Sequence, residues 1–424
     1  MSKKNSNGII NTLSVISEQI KQLHFSEDDI ISIVDSQMFL HIFSNVPDFR
    51  QEGKVVYKLH KLLMMIFLAI AQQGKISFVG IEDYIEARKK MFEKYGLIEN
   101  GQCPKHDTIR RVLSLLSSDA LQKATIDSFY NFLKYLERHI RKQGDHIHIG
   151  YDGKDFKGSG RNKNSNNPRS NIGMLNVYED SVGTCILTAP IDIKDSEIPT
   201  LQGLIPSFNL KDTISTADAI HCQKETVKLI HDAKGKFVIA VKKNQKSLYE
   251  EIEARFNNPK SKIKTYYEEN RVIEILKLPS KYTLADEWKG LKTFVRMHSD
   301  THKNVHCEMY FISNTADERL IIDGILNRWI IENKLHRHKD LDLREDDWRS
   351  QDKNTLHNIA IINNLVLQLF RMYATLSNKE FRKAKVYFQF NPIEALNYIL
   401  AVMSSEEIVS DLIDSLQKYK KNRA

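Results

Sequence analysis

Three of the 54 acidic residues in this 424-residue chain stand where a carboxylate is out of place unless something compensates it. Asp152 falls in HIHIGYDGKDF, an alternating run that puts Ile147, Ile149 and Tyr151 on one face and His148, Gly150 and Asp152 on the other. The middle of a strand disfavours aspartate. Asp218 closes a second strand-like run, DTISTADA, where it reads equally as a turn former or the N-cap of the helix that begins near residue 223. Glu332 lies in a helical pattern that shares its face with Arg328 (i−4), His336 (i+4) and Lys339 (i+7). A surface ion-pair ladder has the same spacing, but Trp329, Ile330, Ile331 and Leu335 leave little freely solvated face. Converging carboxylates suit Mg2+ or Mn2+, which take hard oxygen ligands and keep several waters. Two such ions about 4 Å apart serve phosphodiester chemistry, one activating the attacking oxygen and the other stabilising the leaving one.

Holding these side chains together takes a sheet and a helix packed upon it. Residues 1–39 are polar and read as an arm. Residues 40–143 alternate helical patterns with polar breaks (EDYIEARKKMFEKYG, DTIRRVLSLLS, SDALQKATIDSFYNFLKYLERHIRK) and read as an all-helical, DNA-binding module with Arg and Lys on its polar faces. From 144 the period changes. Three successive strand-like runs followed by alternating helices and strands predict a mixed α/β sheet over 144–245 and 313–375. Between 246 and 312 short charged strand-like segments (RVIEILKL, KTFVRMHS, CEMYFIS) read as a β-rich insertion. TADERLIIDGILNRWIIENKLHRHK then reads as one long helix, with Thr315 and Glu318 as a capping box. Residues 376–424 are helical and end in the basic tail QKYKKNRA.

A hydrophobic content of 41% with 27% charged residues can bury a core, and the net charge of +8 favours a polyanionic partner. Cys103, Cys185, Cys222 and Cys307 are scattered without a CxxC pair, which argues against a disulfide framework or zinc knuckle and fits a reducing cytoplasm. The N-terminus lacks the apolar run of a signal peptide. LLMMIFLAIA at 62–71 is about half the length that spans a bilayer and reads as a buried helix.

Arg328-x3-Glu332-x6-Lys339 resembles the R-x3-E-x6-K signature of DDE insertion-sequence transposases, and RWIIENKLH resembles the branch of the H-repeat-associated proteins. VPDFRQEGKVVYKL, CPKHDTIRRVLSLL, YDGKDFKGS, KDSEIPTLQGLI, TADAIHCQ, IAVKKNQKSLYEEI, ENRVIE, EWKGLKTF and LREDDWR match the same branch in the same order, from about residue 40 to 375. The resemblance implies a ribonuclease H-like catalytic domain interrupted by a β-rich insertion. It also implies a metal-binding catalytic triad of Asp152, Asp218 and Glu332 with two Mg2+ or Mn2+ ions, and Arg328 and Lys339 as DNA-phosphate contacts. The expected activity is transposition: hydrolysis at element ends, then strand transfer by the freed 3′-OH, with a homodimer pairing two ends of double-stranded DNA. The alternative is a domesticated regulator or a host DNA-processing nuclease. Two positions depart from the family pattern: Ile325 replaces its tyrosine, and Arg337 stands where an aromatic is usual.

Other residues carry two readings each. Lys157, Arg161, Lys163 and Arg169 follow Asp152 in a loop that could track a phosphate backbone or simply be solvated. Lys242, Asn244 and Gln245, matching the family's K-x-N-Q, either position DNA or close a strand. Trp288 reads first as a core anchor and second as a platform for a flipped base. His336 and His338 read first as solvated helix residues and second as aids to proton transfer. Glu197, Glu345 and Asp346 are spare acids.

Overall fold

A computed structural model describes residues 38–73, 77–99, 101–140, 146–160, 171–191, 197–268, 270–300 and 306–423. The N-terminal part of the described residues is helical: α1 (Leu59–Gln73), α2 (Phe78–Ala87), α3 (Lys89–Lys94), α4 (His106–Leu115) and α5 (Ser118–Ile140). α1 is apolar all round and its stretch 62–71 is wholly buried, as a helix of that composition must be. Ser77 starts α2 by accepting a hydrogen bond from the Gly80 amide.

Nine strands among the described residues form one sheet: β1 (Ile147–Phe156), β2 (Ile172–Glu179), β3 (Thr184–Ile191), β4 (Thr213–Ala217), β5 (Lys236–Val241), β6 (Ile263–Glu268), β7 (Arg271–Lys277), β8 (Thr293–Asp300) and β9 (His306–Ser313). Their order is β3-β2-β1-β4-β5-β9-β8-β7-β6. β1, β4 and β5 run parallel, while β2 is antiparallel to both β1 and β3. The first five strands therefore have the ribonuclease H-like order, in agreement with the expected fold class. The segment read as an insertion opens with a helix, and its strands extend the same sheet through an antiparallel β5–β9 pairing.

One face of the sheet is covered by α6 (Glu197–Leu204), α7 (Lys224–Asp232), α8 (Lys246–Asn257) and the short α9 (Leu284–Glu287). The other carries α10 (Glu318–Asn327), a π-helical turn Ile331–His336, α11 (Arg337–Leu341) and the long α12 (Lys353–Leu376). α13 (Phe381–Phe390), α14 (Pro392–Ser404) and α15 (Glu406–Arg423) close the chain. α12 is long and apolar enough to cross a membrane, but 94% of its apolar window is buried inside the protein. It joins α1, α5 and α14 in a single apolar cluster, so both helical ends of the chain share a core.

Two local expectations are corrected. The single long helix is broken after Asn327 and resumes with the π turn. Its cap is Asp317, which accepts from the Leu320 amide. Thr315 accepts instead from the Asp317 amide, and Glu318 binds Lys264 and Lys277.

Candidate metal centre

β1 and β4 pair in parallel with Tyr151 opposite Ala217, so Asp152, in the middle of β1, and Asp218, just past the end of β4, lie side by side on adjacent strands and face the same way. Glu332 arrives from above that face on the π turn, whose extra residue per turn is a geometry favoured at functional sites. The turn lies directly on β1: a Cβ at Gly150 would stand 3.4 Å from the Ile331 Cβ, in van der Waals contact.

The His336 ring, 3% exposed, lies between two carboxylates: its Nδ1 is 3.3 Å from Asp152 Oδ2 and 3.2 Å from Glu332 Oε2. Burial opposes a charge on this imidazole, but the two carboxylates outweigh it and hold its pKa above the ordinary histidine value. The Glu332 carboxyl is lowered, chiefly by the hydrogen bond from His336. One ligand atom each from Asp152, Glu332 and His336 lie within 4.8 Å of one another, the only such group among the described residues. The sequence reading of His336 as a solvated helix residue is therefore corrected: the π turn rotates it inward. Asp218 stands aside. Its Oδ1 accepts from Arg328 Nη1 at 3.0 Å, and Arg328 stacks at 4.1 Å on the Trp329 ring.

A polar network runs inward from this point. Asn176 on β2 sits directly opposite Asp152 on β1. Its side-chain amide lies 3.2 Å from His336 Nε2, and its oxygen accepts from Lys339 Nζ at 3.2 Å. Lys339 is 0% exposed and also faces Glu345 Oε1 at 3.4 Å, which in turn accepts from Asn363. In this arrangement the charge of Lys339 is directed into the fold, not toward a phosphate. Lys154 is held by Asp340 at 2.6 Å and Asp346 at 3.1 Å, with Glu345 at 3.6 Å. Asn176 escaped sequence reasoning; its only signal is a polar residue at the centre of the apolar run GMLNVYE.

The remaining candidates spread out. Lys157 pairs with Asp346 at 2.7 Å, while Arg161, Lys163 and Arg169 lie outside the described residues. Lys242 is exposed at the end of β5; Asn244 donates to the Ala219 carbonyl and Gln245 to Gln223, tying together the loops after β4 and β5. His338 binds Asp342 at 2.6 Å. Trp288, 2% exposed, is a core anchor, as is Ile325, 1% exposed. On the outer side of the Asp346 segment opens a cleft of about 1540 Å³ between α2, α4 and residues 347–352, lined by Arg88, Arg110, Arg111 and Arg349 and by as many aspartates, Asp83, Asp107, Asp347 and Asp352.

A family model described as "Transposase DDE domain" matches residues 143–368, and one described as "DDE_Tnp_1-associated" matches residues 40–128. The chain is similar to the putative transposase YncI of Escherichia coli O157:H7, 29% identical over 358 residues, covering 79% of this chain and 87% of that protein. It is similar also to the H repeat-associated putative transposase YhhI of Escherichia coli strain K12, 28% identical over 346 residues, covering 77% of this chain and 88% of that one. Among solved structures, the piggyBac transposase synaptic complex with hairpin DNA matches with 11% identity and a TM-score of 0.39, covering 100% of this chain and 86% of that one.

Proposed function

The chain belongs to the DDE transposase family, and from that premise we propose that it hydrolyses the ends of its element and joins them to target DNA at the centre formed by Asp152, Asp218 and Glu332. The observation that carries the reading is the meeting of Asp152, Glu332 and His336 within 4.8 Å beside the strand end that bears Asp218. These oxygens fit the hard-ligand chemistry of Mg2+ or Mn2+, with Asp152 and Glu332 as ligands and Asp218 joining them by releasing Arg328. Divalent ions bound there supply activation of the attacking oxygen and stabilisation of the leaving one.

The protein's own groups do the rest. The His336 imidazole, in contact with Asp152 and Glu332, offsets their mutual repulsion. Arg328, freed from Asp218, would be available to a phosphate oxygen, a contact its planar fork favours. Asn176, Lys339 and Glu345 fix the π turn so that Glu332 and His336 keep their places. Pairing two ends requires two copies of the chain, each cutting one.

Purified protein, DNA carrying the element's ends and Mg2+ together yield nicks at those ends. Asp152→Asn and Glu332→Gln lower the cutting rate on the order of 10³-fold, the equivalent of several kcal/mol of transition-state stabilisation. Full cutting by both variants would remove the assignment.

A further inference from the structure

We infer that His336 serves the metal centre as a hydrogen-bond donor and not as a ligand. Asn176, fixed by Lys339, keeps the ring's Nε2 free of hydrogen and so holds the hydrogen on Nδ1, beside Asp152 and Glu332. The inference deepens the proposed function and rests on it for the ion, whereas the place of the hydrogen is independent of any metal.

The assignment starts from Lys339, because a lysine has three donors and no acceptor. The Asn176 atom that faces Lys339 Nζ at 3.2 Å is therefore its oxygen. The same oxygen takes the Thr188 hydroxyl at 2.9 Å, and Thr188 Oγ1 in turn accepts from the Asn364 amide at 2.7 Å. With its oxygen committed, Asn176 can turn only its NH2 group toward His336 Nε2, 3.2 Å away. An amide hydrogen aimed at a ring nitrogen requires a lone pair there. Turning the amide over would set its NH2 group against the Lys339 ammonium, and would leave that buried charge without its oxygen. Asn176, Thr188, His336 and Lys339 are all buried, so bulk water offers no substitute partner.

The neutral ring then carries its hydrogen on Nδ1, the nitrogen that lies 3.2 Å from Glu332 Oε2 and 3.3 Å from Asp152 Oδ2. A histidine that ligates a metal shows the reverse arrangement. Its bare nitrogen meets the ion, and its other N–H donates to a carboxylate, a carbonyl or water. Behind His336 the place of that acceptor is taken by a donor. The ring therefore gives a hydrogen to the two oxygens that must stay close together, and the second oxygen of each carboxylate is left for the ion. Asn176 pairs with Asp152 across β1 and β2, so one step of the sheet supplies both the residue that sets the ring and one that the ring holds.

The test is nitrogen NMR of the full chain labelled on its histidine rings, metal-free and in mildly alkaline buffer, with the His336 signals identified by their loss in His336→Asn. Nδ1 is expected at the shift of a protonated nitrogen and Nε2 at that of a bare one. Asn176→Asp, nearly equal in size, offers only oxygens to Lys339 and to the ring, and moves the Nε2 signal to the protonated position. A role for Asn176 in folding alone would leave that signal where it is. Mn2+ added to the wild type and read by spin-echo electron paramagnetic resonance shows no coupling to a ring nitrogen. The coupling appears in Asn176→Asp, where the carboxylate behind the ring frees Nδ1 to bind. A protonated Nε2 or a nitrogen-coupled Mn2+ in the wild type would overturn this inference and leave the carboxylates as ligands. No Mn2+ binding by the wild type would overturn the proposed function, while the nitrogen shifts would still decide where the hydrogen sits.

Discussion

The two faces of the central sheet are built on different rules. Under α6 to α9 the filling is apolar: Ile149, Tyr151, Leu175, Leu201, Ile239 and Trp288 interlock. On the opposite side, above β1 and β2, the apolar packing of Ile331 and Leu335 is threaded by the buried polar residues Asn176, His336, Lys339, Glu345 and Asn363. The apolar face gains free energy roughly in proportion to area and tolerates small shifts. The polar face gains little net stability, because two charges taken from water are repaid only by good geometry. What it gains is specification: each buried donor and acceptor has one arrangement that satisfies it. A site that must hold carboxylates close together against their repulsion is supported by the second kind of interior.

Three substitutions break or sharpen this contrast. The largest effect on stability belongs to Glu345→Ala. It leaves Lys339 buried and facing only the Asn176 oxygen, and costs about 3–5 kcal/mol in urea unfolding. Because the same network holds the π turn, Mn2+ affinity falls in that variant even where the protein remains folded. Trp288→Ala on the apolar face opens a cavity and costs about 3 kcal/mol, yet Mn2+ affinity and end cutting per folded molecule remain at the wild-type level. Should the tryptophan variant lose metal binding while the glutamate variant keeps it, the division of labour between the faces is wrong.

The smallest effect comes from Asp323 on α10, another half-buried acid on the polar side. Burial pushes its pKa from 3.8 up to about 6, opposed by Arg319. The fold therefore binds this proton more tightly than the unfolded chain does. Its contribution is fully present below about pH 4 and is lost as pH rises through about 6. Asp323→Asn removes the dependence: its thermal midpoint exceeds that of the wild type at pH 8, and the gap closes toward pH 4. A constant gap between the two pH values would show that this carboxyl does not titrate in the fold.

Much of the fold was readable in the chain because period and burial are local signals. The alternation of HIHIGYDGKDF predicted both β1 and its faces, and the strand-like run DTISTADA predicted β4. The cap of α10 was misplaced by two residues, since Thr315 and Asp317 are equally competent caps and only the incoming backbone chooses between them. The common core of the first and last helices was not legible either, as nothing local links α1 to α14.

For the candidate site, the sequence by itself nominated carboxylates: an aspartate inside an apolar strand and a glutamate spaced to an arginine and a lysine are unusual enough to be noticed, while Asp218 joined them through the family resemblance. Tertiary structure decided their partners. Ideal helical phase put Arg328, His336 and Lys339 on one face with Glu332, but the break after Asn327 and the π turn sent them apart. Arg328 went to Asp218, His336 between two carboxylates, and Lys339 into the interior. Helical spacing is a property of the backbone hydrogen bonds, and one residue's change in that ladder rotates everything beyond it by about a quarter of a turn. Whether the ladder changes depends on what the helix packs against, here a strand with Gly150 beneath Ile331, and that contact lies 181 residues away in sequence.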